Sequence, residues 1–439
     1  MAETRKLFGT DGVRGPVGEK LTPELALALG RAMGGEFDGR ERPQVLIIRD
    51  TRESGHLLES ALAAGLAATG CDVYLGGVLP TPAAAILVRR HAMQLAAVVS
   101  ASHNPWRDNG IKFFDAAGRK LSDEAELRVE RRIAAGPGPI TASGRIRKLE
   151  GALDDYLREL ASSFDLDLGG RRIVLDCGNG ATYRAAPAAF DRLGADVVAI
   201  ATEPDGRNIN EGCGSTHLEN VAAAVSEHGA ELGFAFDGDG DRVLAVDAEG
   251  RHFDGDEIVA LCALFLRETD SPPGGTAVTV MTNYGFHQAM DEAGVEVATT
   301  KVGDRYVIEE LVERGWTIGG EQSGHIIWTD FAATGDGIAA ALLVCRALGP
   351  RSLAEARPFQ RLPQRLENVR IPSKEALDGA HELWEAVGRE GSKLEGRGRV
   401  LVRPSGTEPL VRVMVEAPDA EECERVLGRL VEAARRALR

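Results

Sequence analysis

Three stretches of this chain alternate short apolar runs of strand type with Ala- and Leu-rich runs of helix type. The first stretch includes VLII (45–48), an amphipathic helical pattern over 57–69 and LAAVVS (95–100). The alternation restarts at RRIVLDCGNG (171–180) and again at TAVTVMTN (276–283). Strands that alternate with helices form parallel or mixed sheets covered by helices. The sequence therefore predicts three similar mixed-sheet α/β units in series.

A smaller α+β unit is predicted after the third α/β unit. Its strand-like runs are Val400–Arg403 and Val411–Glu416, and a helical pattern extends from about Ala420 to Leu438. A chain of 439 residues has room for three or four domains. Breaks rich in glycine, proline or charge place the domains at 1–150, 151–254, 255–366 and 367–439.

The net charge and the cysteines argue against several classes of protein. A net charge of −16 is unfavourable for binding nucleic acid, which requires a basic face. The six cysteines are far apart and form no CxxC pair, so we expect reduced core cysteines rather than a disulfide framework or structural zinc. The N-terminal residues have no signal-peptide pattern, and the longest apolar run, near Ile258–Leu266, is too short to cross a membrane. We therefore expect a cytoplasmic protein.

Four apolar runs end in polar loops, one in each predicted domain, and three of these loops contain glycine. They are AAVVS-ASHNP, LGFAF-DGDGDR, WTIGG-EQSGH and RVLV-RPSGTEP. Ligands of open α/β sheets bind beyond the carboxyl ends of the strands. The four loops therefore predict one central cleft surrounded by four domains. The alternative is four unrelated surface turns, because turns of this composition are common.

The second loop has the composition of a site for a hard metal ion. Asp237, Asp239 and Asp241 alternate with glycines, so the backbone can fold tightly and the carboxylates can converge. Oxygen ligands of this kind suit Mg²⁺ or Ca²⁺. The loop is not an EF-hand, because positions six and twelve are Arg242 and Ala248. A solvated acidic turn is the alternative.

The third and fourth loops carry groups that suit a sugar and a phosphate. Glu321 and Ser323 could bind vicinal hydroxyls, and His325 could transfer protons near neutral pH. The donors in and beside the fourth loop suit a phosphate dianion: Arg403, Ser405, Gly406, Thr407 and Arg412. A structural histidine and an ordinary Ser/Gly turn are the alternatives.

Ser102 lies in the first loop but outside the usual motifs for an activated serine. It belongs to neither a GxSxG elbow nor an SxxK motif, and the chain has no Walker A loop. A serine near a metal site, without a nucleotide site, fits a residue that itself carries the phosphoryl group.

Eight segments occur in the order in which they occur in the α-D-phosphohexomutase superfamily, which the chain resembles along essentially its whole length. They are FGTDGVRG (8–15), SASHNPWRDNGIKFF (100–114), NINEGCGSTH (208–217), FDGDGDR (236–242), KVGDRYV (301–307), GGEQSGH (319–325), ATGDG (333–337) and RPSGTEPLVRVM (403–414). The closest resemblance is to the bacterial branch that interconverts glucosamine 6-phosphate and glucosamine 1-phosphate.

The resemblance implies four domains around a central cleft, a phosphoserine enzyme and a 1,6-bisphosphate intermediate. Ser102 matches the phosphoserine. Together with Asp237, Asp239 and Asp241, it also matches the site that binds one Mg²⁺ per chain. The matched residues implicated in catalysis are Ser102, Lys112, His325 and Arg14, with Lys112 and His325 as the candidates for proton transfer. The matched substrate-binding residues are Arg242, Lys301, Glu321, Ser323, Arg403, Ser405, Gly406, Thr407 and Arg412.

The resemblance also implies the cofactors and partners. Glucosamine or glucose 1,6-bisphosphate would prime the enzyme, and the expected partners are a small sugar phosphate and, at most, a second copy of the chain in a homodimer. The main alternative is the phosphomannomutase/phosphoglucomutase branch, against which Gln322 is one indication. A non-catalytic sugar-phosphate sensor and a phosphatase stay open as further alternatives.

Overall fold

The computed structural model describes residues 7–9, 11–37, 39–136, 140, 143–373, 375–377, 379–404 and 409–438. The chain forms two compact units. The first consists of Met1–Val280 with Ala298–Arg357, and the second of Met281–Val297 with Pro358–Arg439. None of the helices in the described ranges combines the length and the apolar character that a membrane span requires.

The first sheet has six strands in the order β1-β5-β4-β2-β3-β6. Its strands β2, β3 and β4 are parallel, whereas β5 runs antiparallel beside β4. All five residues of β4 are buried, as expected for a strand covered on both faces. The elements are β1 (Val13–Pro16), α1 (Pro23–Gly34), a 3₁₀ turn (Gly35–Phe37), β2 (Gln44–Arg49), α2 (Gly55–Ala67), β3 (Asp72–Val78), α3 (Thr81–Arg90), β4 (Leu95–Val99), β5 (Asp108–Asp115), α4 (Asp123–Ala135) and β6 (Ile146–Lys148).

The second sheet has the order β11-β10-β9-β7-β8 and repeats this arrangement. Strands β7, β8 and β9 are parallel, and β10 runs antiparallel beside β9. The elements are α5 (Ala152–Ser163), β7 (Arg172–Asp176), α6 (Ala185–Arg192), β8 (Asp196–Ile200), a 3₁₀ turn (Gly214–Thr216), α7 (Leu218–His228), β9 (Leu232–Phe236), β10 (Val243–Asp247) and β11 (His252–Phe253).

The third sheet has the order β13-β12-β14-β15, with β12 parallel and β15 antiparallel to β14. Helix α8 begins with a capping box, in which Asp254 and Glu257 satisfy each other's backbone N–H groups. The elements are α8 (Gly255–Arg267), β12 (Thr276–Thr279), β13 (Val297–Thr300), α10 (Asp304–Arg314), β14 (Ile318–Gly320), β15 (Ile326–Trp328) and α11 (Gly337–Leu348). Helix α9 (Tyr284–Glu292) lies between β12 and β13 in the chain but belongs to the second unit.

The second unit is built on an antiparallel sheet of order β16-β18-β17, against which two long helices pack. Helix α13 buries Cys423, Leu427, Leu430 and Ala434, whose spacing of three or four residues places them on one face. The elements are β16 (Gln364–Arg370), a 3₁₀ turn (Glu375–Leu377), α12 (His381–Leu394), β17 (Arg399–Pro404), β18 (Leu410–Glu416) and α13 (Ala420–Ala437).

One supersecondary arrangement recurs in the first three sheets. In each, two parallel strands are followed by a strand that returns antiparallel beside the second of them: β2-β4-β5, β7-β9-β10 and β12-β14-β15. The predicted fold class, three similar α/β units and a smaller α+β unit, is confirmed. All six cysteines lie in the described part of the chain, where they are buried and form no disulfide with one another, as predicted. The domain boundaries stay a prediction.

His287 in α9 makes the stability of the second unit depend on pH. Burial, and secondarily the charge of Arg399, lower the pKa of His287 from 6.5 to about 4. Because the unfolded chain takes up this proton near pH 6.5 and the folded unit only near pH 4, stability is lost as the pH falls between these values. The expected loss is about 3 kcal/mol by pH 4.

The measurement is hydrogen exchange of the α9 amides in wild type and in His287→Phe at pH 4 to 7. The variant, which keeps a planar ring beside Phe286, should lose less stability towards pH 4. The same change at the exposed His381 is the control and should leave the pH dependence unaltered. Equal pH slopes in wild type and His287→Phe would contradict the prediction.

Candidate active site

Ser102 lies in the loop that joins β4 to the antiparallel strand β5. The residue is buried, and its backbone has a φ of +53°, in the left-handed region that non-glycine residues seldom adopt. Its Oγ donates a hydrogen bond of 2.5 Å to Oδ2 of Asp237, and Nδ1 of His103 lies 3.3 Å from the same Oγ. The first predicted loop therefore meets the second.

The three aspartates of the second loop follow β9 and are all buried. Each offers one carboxylate oxygen, and these three oxygens lie within 4.8 Å of one another. Gly238 between them must lack a side chain, because a Cβ there would lie 2.6 Å from the carbonyl oxygen of Ser102. Oδ1 of Asp239 and Oδ1 of Asp241 are buried without a hydrogen-bond partner in the described residues. Converging, unsatisfied carboxylate oxygens fit a divalent cation.

Lys112 from β5 brings a positive charge to this cluster. Its buried Nζ lies 2.7 Å from Oδ2 of Asp239, 3.4 Å from Oδ2 of Asp241 and 3.7 Å from Oδ2 of Asp11. Burial alone would lower the pKa of Lys112, but the three carboxylates raise it above its ordinary value. The ammonium group is therefore charged at neutral pH.

The pKa values of two aspartates in the cluster move in opposite directions. Burial raises the pKa of Asp237, and the charges of Asp241 and Asp239 raise it further. Burial acts in the same direction on Asp239, but Lys112 and Thr81 together hold the pKa of Asp239 below its usual value. The carboxylate of Asp239, which contacts Lys112, therefore keeps its negative charge more readily than the carboxylate of Asp237 does.

Arg14 brings a further positive charge to this cluster, and nearby carboxylates raise its pKa as they raise that of Lys112. It forms an ion pair with Asp11, and its pKa is raised by Asp11 and by the aspartates of the loop against the opposing effect of burial.

The third loop contributes His325 to the same cluster. Nδ1 of His325 lies 3.8 Å from Oδ1 of Asp241, and its Nε2 accepts a hydrogen bond of 3.2 Å from the backbone N–H of Gly335. Arg242 follows the aspartates, and its Nε is 3.9 Å from Oδ1 of Asp241. The structure therefore brings together Ser102, the three aspartates, Lys112, Arg14, Arg242 and His325.

The remaining predicted residues of the first unit are arranged around the third loop. Oε1 of Glu321 accepts a hydrogen bond of 2.9 Å from the N–H of Gly303, whereas Ser323 is exposed. Lys301 is exposed too, and its Nζ lies 5.9 Å from the centre of the Tyr306 ring. The amide of Gln322 donates to Asp254, so this residue links the loop to the start of α8.

Several residues of the cluster were missed by the sequence analysis. Nζ of Lys120 bridges Oδ1 of Asp11 at 2.6 Å and Oδ2 of Asp304 at 2.5 Å, and the same Oδ2 lies 3.5 Å from Nε2 of His325. Asp11 and Asp304 do lie in quoted motifs, FGTDGVRG and KVGDRYV, which was the available signal. Lys120 lies in none of them.

In the second unit, Arg403 and Arg412 lie directly opposite each other on β17 and β18. Burial lowers the pKa of Arg403, and the neighbouring charge of Arg412 lowers it further. Nε of Arg412 is buried without a hydrogen-bond partner among the described residues. Two adjacent guanidinium groups suit an anion. Ser405, Gly406 and Thr407 lie outside the described residues.

Models of one protein family match the chain in four consecutive segments. The phosphoglucomutase/phosphomannomutase models match as domain I at residues 5–137, domain II at 154–250, domain III at 254–364 and the C-terminal domain at 366–433. The second of these segments contains the aspartate loop and the first contains Ser102.

Curated relatives and a solved structure match almost the whole chain. Phosphoglucosamine mutase from Pelotomaculum thermopropionicum is 50% identical, with 97% of this chain and 98% of the relative covered. The protein of the same name from Saccharopolyspora erythraea is also 50% identical, with the same coverage of both chains. The crystal structure of a phosphoglucomutase/phosphomannomutase family protein from Burkholderia thailandensis aligns with a TM-score of 0.83 at 26% identity, covering 98% of this chain and 97% of that one.

Proposed function

This chain belongs to the phosphoglucomutase/phosphomannomutase family, and from that premise we propose that it is a phosphoglucosamine mutase. It is an isomerase, which moves a phosphoryl group between two positions of one sugar. The proposal for the sugar rests on the relatives that are about 50% identical over nearly the full chain.

One structural observation carries the proposed mechanism. Ser102 Oγ is held 2.5 Å from Asp237 in a buried cluster that combines three carboxylates with Lys112. A buried hydroxyl beside a cation site is suited to carry a phosphoryl group, because phosphoryl transfer depends mainly on positioning and on neutralising charge.

We infer two transfers, both at Ser102. In the first, the P–O bond to Ser102 Oγ breaks as a P–O bond to O1 of glucosamine 6-phosphate forms. The proton of O1 passes to a base, and the departing Oγ takes up a proton. In the second, the P–O6 bond of the resulting 1,6-bisphosphate breaks as a P–O bond to Ser102 Oγ forms. The proton of Oγ passes to a base, O6 takes up a proton, and glucosamine 1-phosphate is left. Lys112 and His325 are the candidates for handling the protons. Lys112 is already an ammonium group, so it could donate a proton but not accept one. Lys112, Arg14 and Arg242 would also offset the charge of the phosphoryl oxygens.

We propose Mg²⁺ as the metal, held by Asp237, Asp239, Asp241 and an oxygen of phosphorylated Ser102. When bound, it would act as a Lewis acid that withdraws charge from the transferred group. The exposed Ser323 and the buried Glu321 would bind the sugar hydroxyls, and Lys301 would take part in binding the substrate. Arg403 and Arg412, with the loop at 405–408, would bind the phosphate that is not being transferred.

We further propose that a glucosamine or glucose 1,6-bisphosphate primes the enzyme, and that the product feeds cell-wall precursor synthesis in the cytoplasm.

Initial rates on three sugar phosphates test the proposed substrate. With Mg²⁺ and a priming 1,6-bisphosphate, kcat/KM for glucosamine 6-phosphate should exceed that for glucose 6-phosphate and mannose 6-phosphate by at least about 10²-fold. This factor corresponds to about 2.7 kcal/mol of transition-state stabilisation.

The comparison also tests the alternative branch. Equal or higher kcat/KM for glucose or mannose 6-phosphate would contradict the proposed substrate and make the chain a phosphomannomutase/phosphoglucomutase. A sample without the priming bisphosphate is the control for the initial state of Ser102.

A further inference from the structure

A fully buried arginine lies beneath the Ser102 loop, in the turn between β2 and α2. The side chain of Arg52 has no exposed surface, and Asp50 is its only charged partner among the described residues. A guanidinium group has five N–H donors. All five are used here: Nε donates to Oδ2 of Asp50, and the other four donate to main-chain carbonyl oxygens of the Ser102 loop.

The four carbonyl groups span the whole turn between β4 and β5. Nη2 donates to the oxygens of Ser102 and Asn104, both at 2.8 Å. Nη1 donates to Pro105 at 2.5 Å and to Asp108 at 3.0 Å. A single planar group thus determines the path of the loop from its reactive serine to the first residue of β5.

The same ion pair supports Ser102 from its amino side. Oδ2 of Asp50 accepts a hydrogen bond of 2.6 Å from Oγ of Ser100, and this Oγ accepts one of 3.0 Å from the backbone N–H of Ser102. Both peptide groups of Ser102 are therefore tied, directly or through one hydroxyl, to Asp50 and Arg52.

A second donor reaches the Ser102 carbonyl from the domain that carries the aspartate loop. Nδ2 of Asn210 donates to the carbonyl oxygen of Ser102 at 3.0 Å and to that of Asn104 at 3.3 Å. The Ser102 carbonyl therefore accepts two N–H groups, one from the turn after β2 and one from the loop after β8. Among the described residues, neither Arg52 nor Asn210 forms a hydrogen bond with Ser102 Oγ or with the carboxylates of the aspartate loop.

These bonds account for the unusual backbone of Ser102. A φ of +53° is unfavourable for serine and persists only where its surroundings hold it. The direction of the Cα–Cβ bond, and with it the position of Oγ, follows from this backbone conformation. Without the donors, the peptide could relax to an ordinary φ, and Oγ would leave its position beside Asp237.

We propose that Arg52 is a positioning residue for phosphoryl transfer, which together with Asn210 holds Ser102 in the left-handed conformation that directs Oγ to Asp237. This inference rests on the proposed role of Ser102 as the phosphoserine. Lysine cannot replace Arg52, because its ammonium group has three donors instead of five and no planar fork.

Arg52→Lys keeps the charge and tests the geometry. The expected result is a fall in kcat of about 10²-fold, since a displacement of about 1 Å at a reacting group has this effect. KM for glucosamine 6-phosphate should stay within about threefold of wild type, because the hydrogen bonds of Arg52 go to Asp50 and to the Ser102 loop rather than to Lys301, Glu321 or Ser323. The ³¹P NMR line of phosphorylated Ser102 should shift, which a loss of stability alone would not cause.

Arg42→Lys is the matched control. Arg42 pairs with Asp72 through two hydrogen bonds at the opposite edge of the same sheet, where β2 and β3 begin. The same chemical change there should lower stability without a change in kcat or in the ³¹P line.

Several outcomes would overturn the inference. A folded Arg52→Lys enzyme with kcat within about threefold of wild type would do so, and so would a raised KM at unchanged kcat. If Arg52→Lys does not fold, Asn210→Gly tests the inference in its place. Glycine is chosen because it tolerates the φ of +59° at this position. It should lower kcat by about tenfold at unchanged KM, and full activity would overturn the inference.

Ser102→Ala, measured in parallel, separates this inference from the proposed function. Activity in Ser102→Ala would defeat the phosphoserine mechanism itself. An inactive Ser102→Ala enzyme beside fully active Arg52→Lys and Asn210→Gly enzymes would defeat only the role of Arg52.

Discussion

Replacing Ser102 by alanine is expected to lower kcat by at least about 10⁴-fold, the scale on which enzymes lose activity when their nucleophile is removed. Its Oγ donates a hydrogen bond of 2.5 Å to Oδ2 of Asp237, whereas the hydroxyl of Thr81 donates to a different aspartate of the cluster, Asp239. Alanine leaves the three aspartates and the other polar loops in place, so the fall should be in kcat rather than in stability. Initial rates with glucosamine 6-phosphate, Mg²⁺ and the priming bisphosphate measure it.

Intact-protein mass spectrometry supplies the chemical readout for the same variant. Wild type incubated with the priming bisphosphate should gain the mass of one phosphoryl group, and Ser102→Ala should gain none. Ser163→Ala is the control: it removes a hydroxyl that donates to the Glu159 carbonyl within α5 and should leave kcat unchanged. A phosphorylated, active Ser102→Ala enzyme would rule out the phosphoserine mechanism.

Replacing Lys112 by methionine is expected to lower the free energy of unfolding by about 3–5 kcal/mol, the usual cost of leaving a buried charge without its partner. Lys112 is buried and lies within 4 Å of carboxylates from Asp11, Asp239 and Asp241. Methionine keeps much of the volume but removes the charge. Catalysis should fall as well, since the positive charge beside the transferred group is lost.

Urea unfolding with and without Mg²⁺ measures the effect on stability. The loss should be smaller in saturating Mg²⁺, because a bound cation compensates the same carboxylates. The double variant Lys112→Met/Asp239→Asn should be more stable than Lys112→Met alone, since it removes one of the unpaired charges. Lys148→Met, at an exposed ion pair, is the control. A double variant less stable than the single one would contradict the electrostatic explanation.

The local patterns of the sequence were sufficient to predict the elements and the convergence of the three aspartates. The run VLII (45–48) predicted a strand that the structure extends to Gln44–Arg49, and the helical pattern over 57–69 corresponds to Gly55–Ala67. Asp237, Asp239 and Asp241 could be identified together because alternate residues around glycines converge by local backbone geometry alone. Strand ends carry loops to one edge of a sheet, so the polar loops could be recognised as candidates before their contacts were known.

The tertiary structure alone decided which charges meet. Lys112 and Asp239 are 127 residues apart, and Lys120 and Asp304 are 184 apart. Their contacts depend on how separate sheets pack, which no periodicity of the chain encodes. Arg52 is the clearest case, because arginine is usually a surface residue and its sequence neighbours give no sign of burial. Its role follows from a loop some 50 residues away that turns its carbonyl groups towards one guanidinium. The sequence by itself determined the elements and the ligand types, and the packing of the sheets determined the partners and orientation of each reactive group.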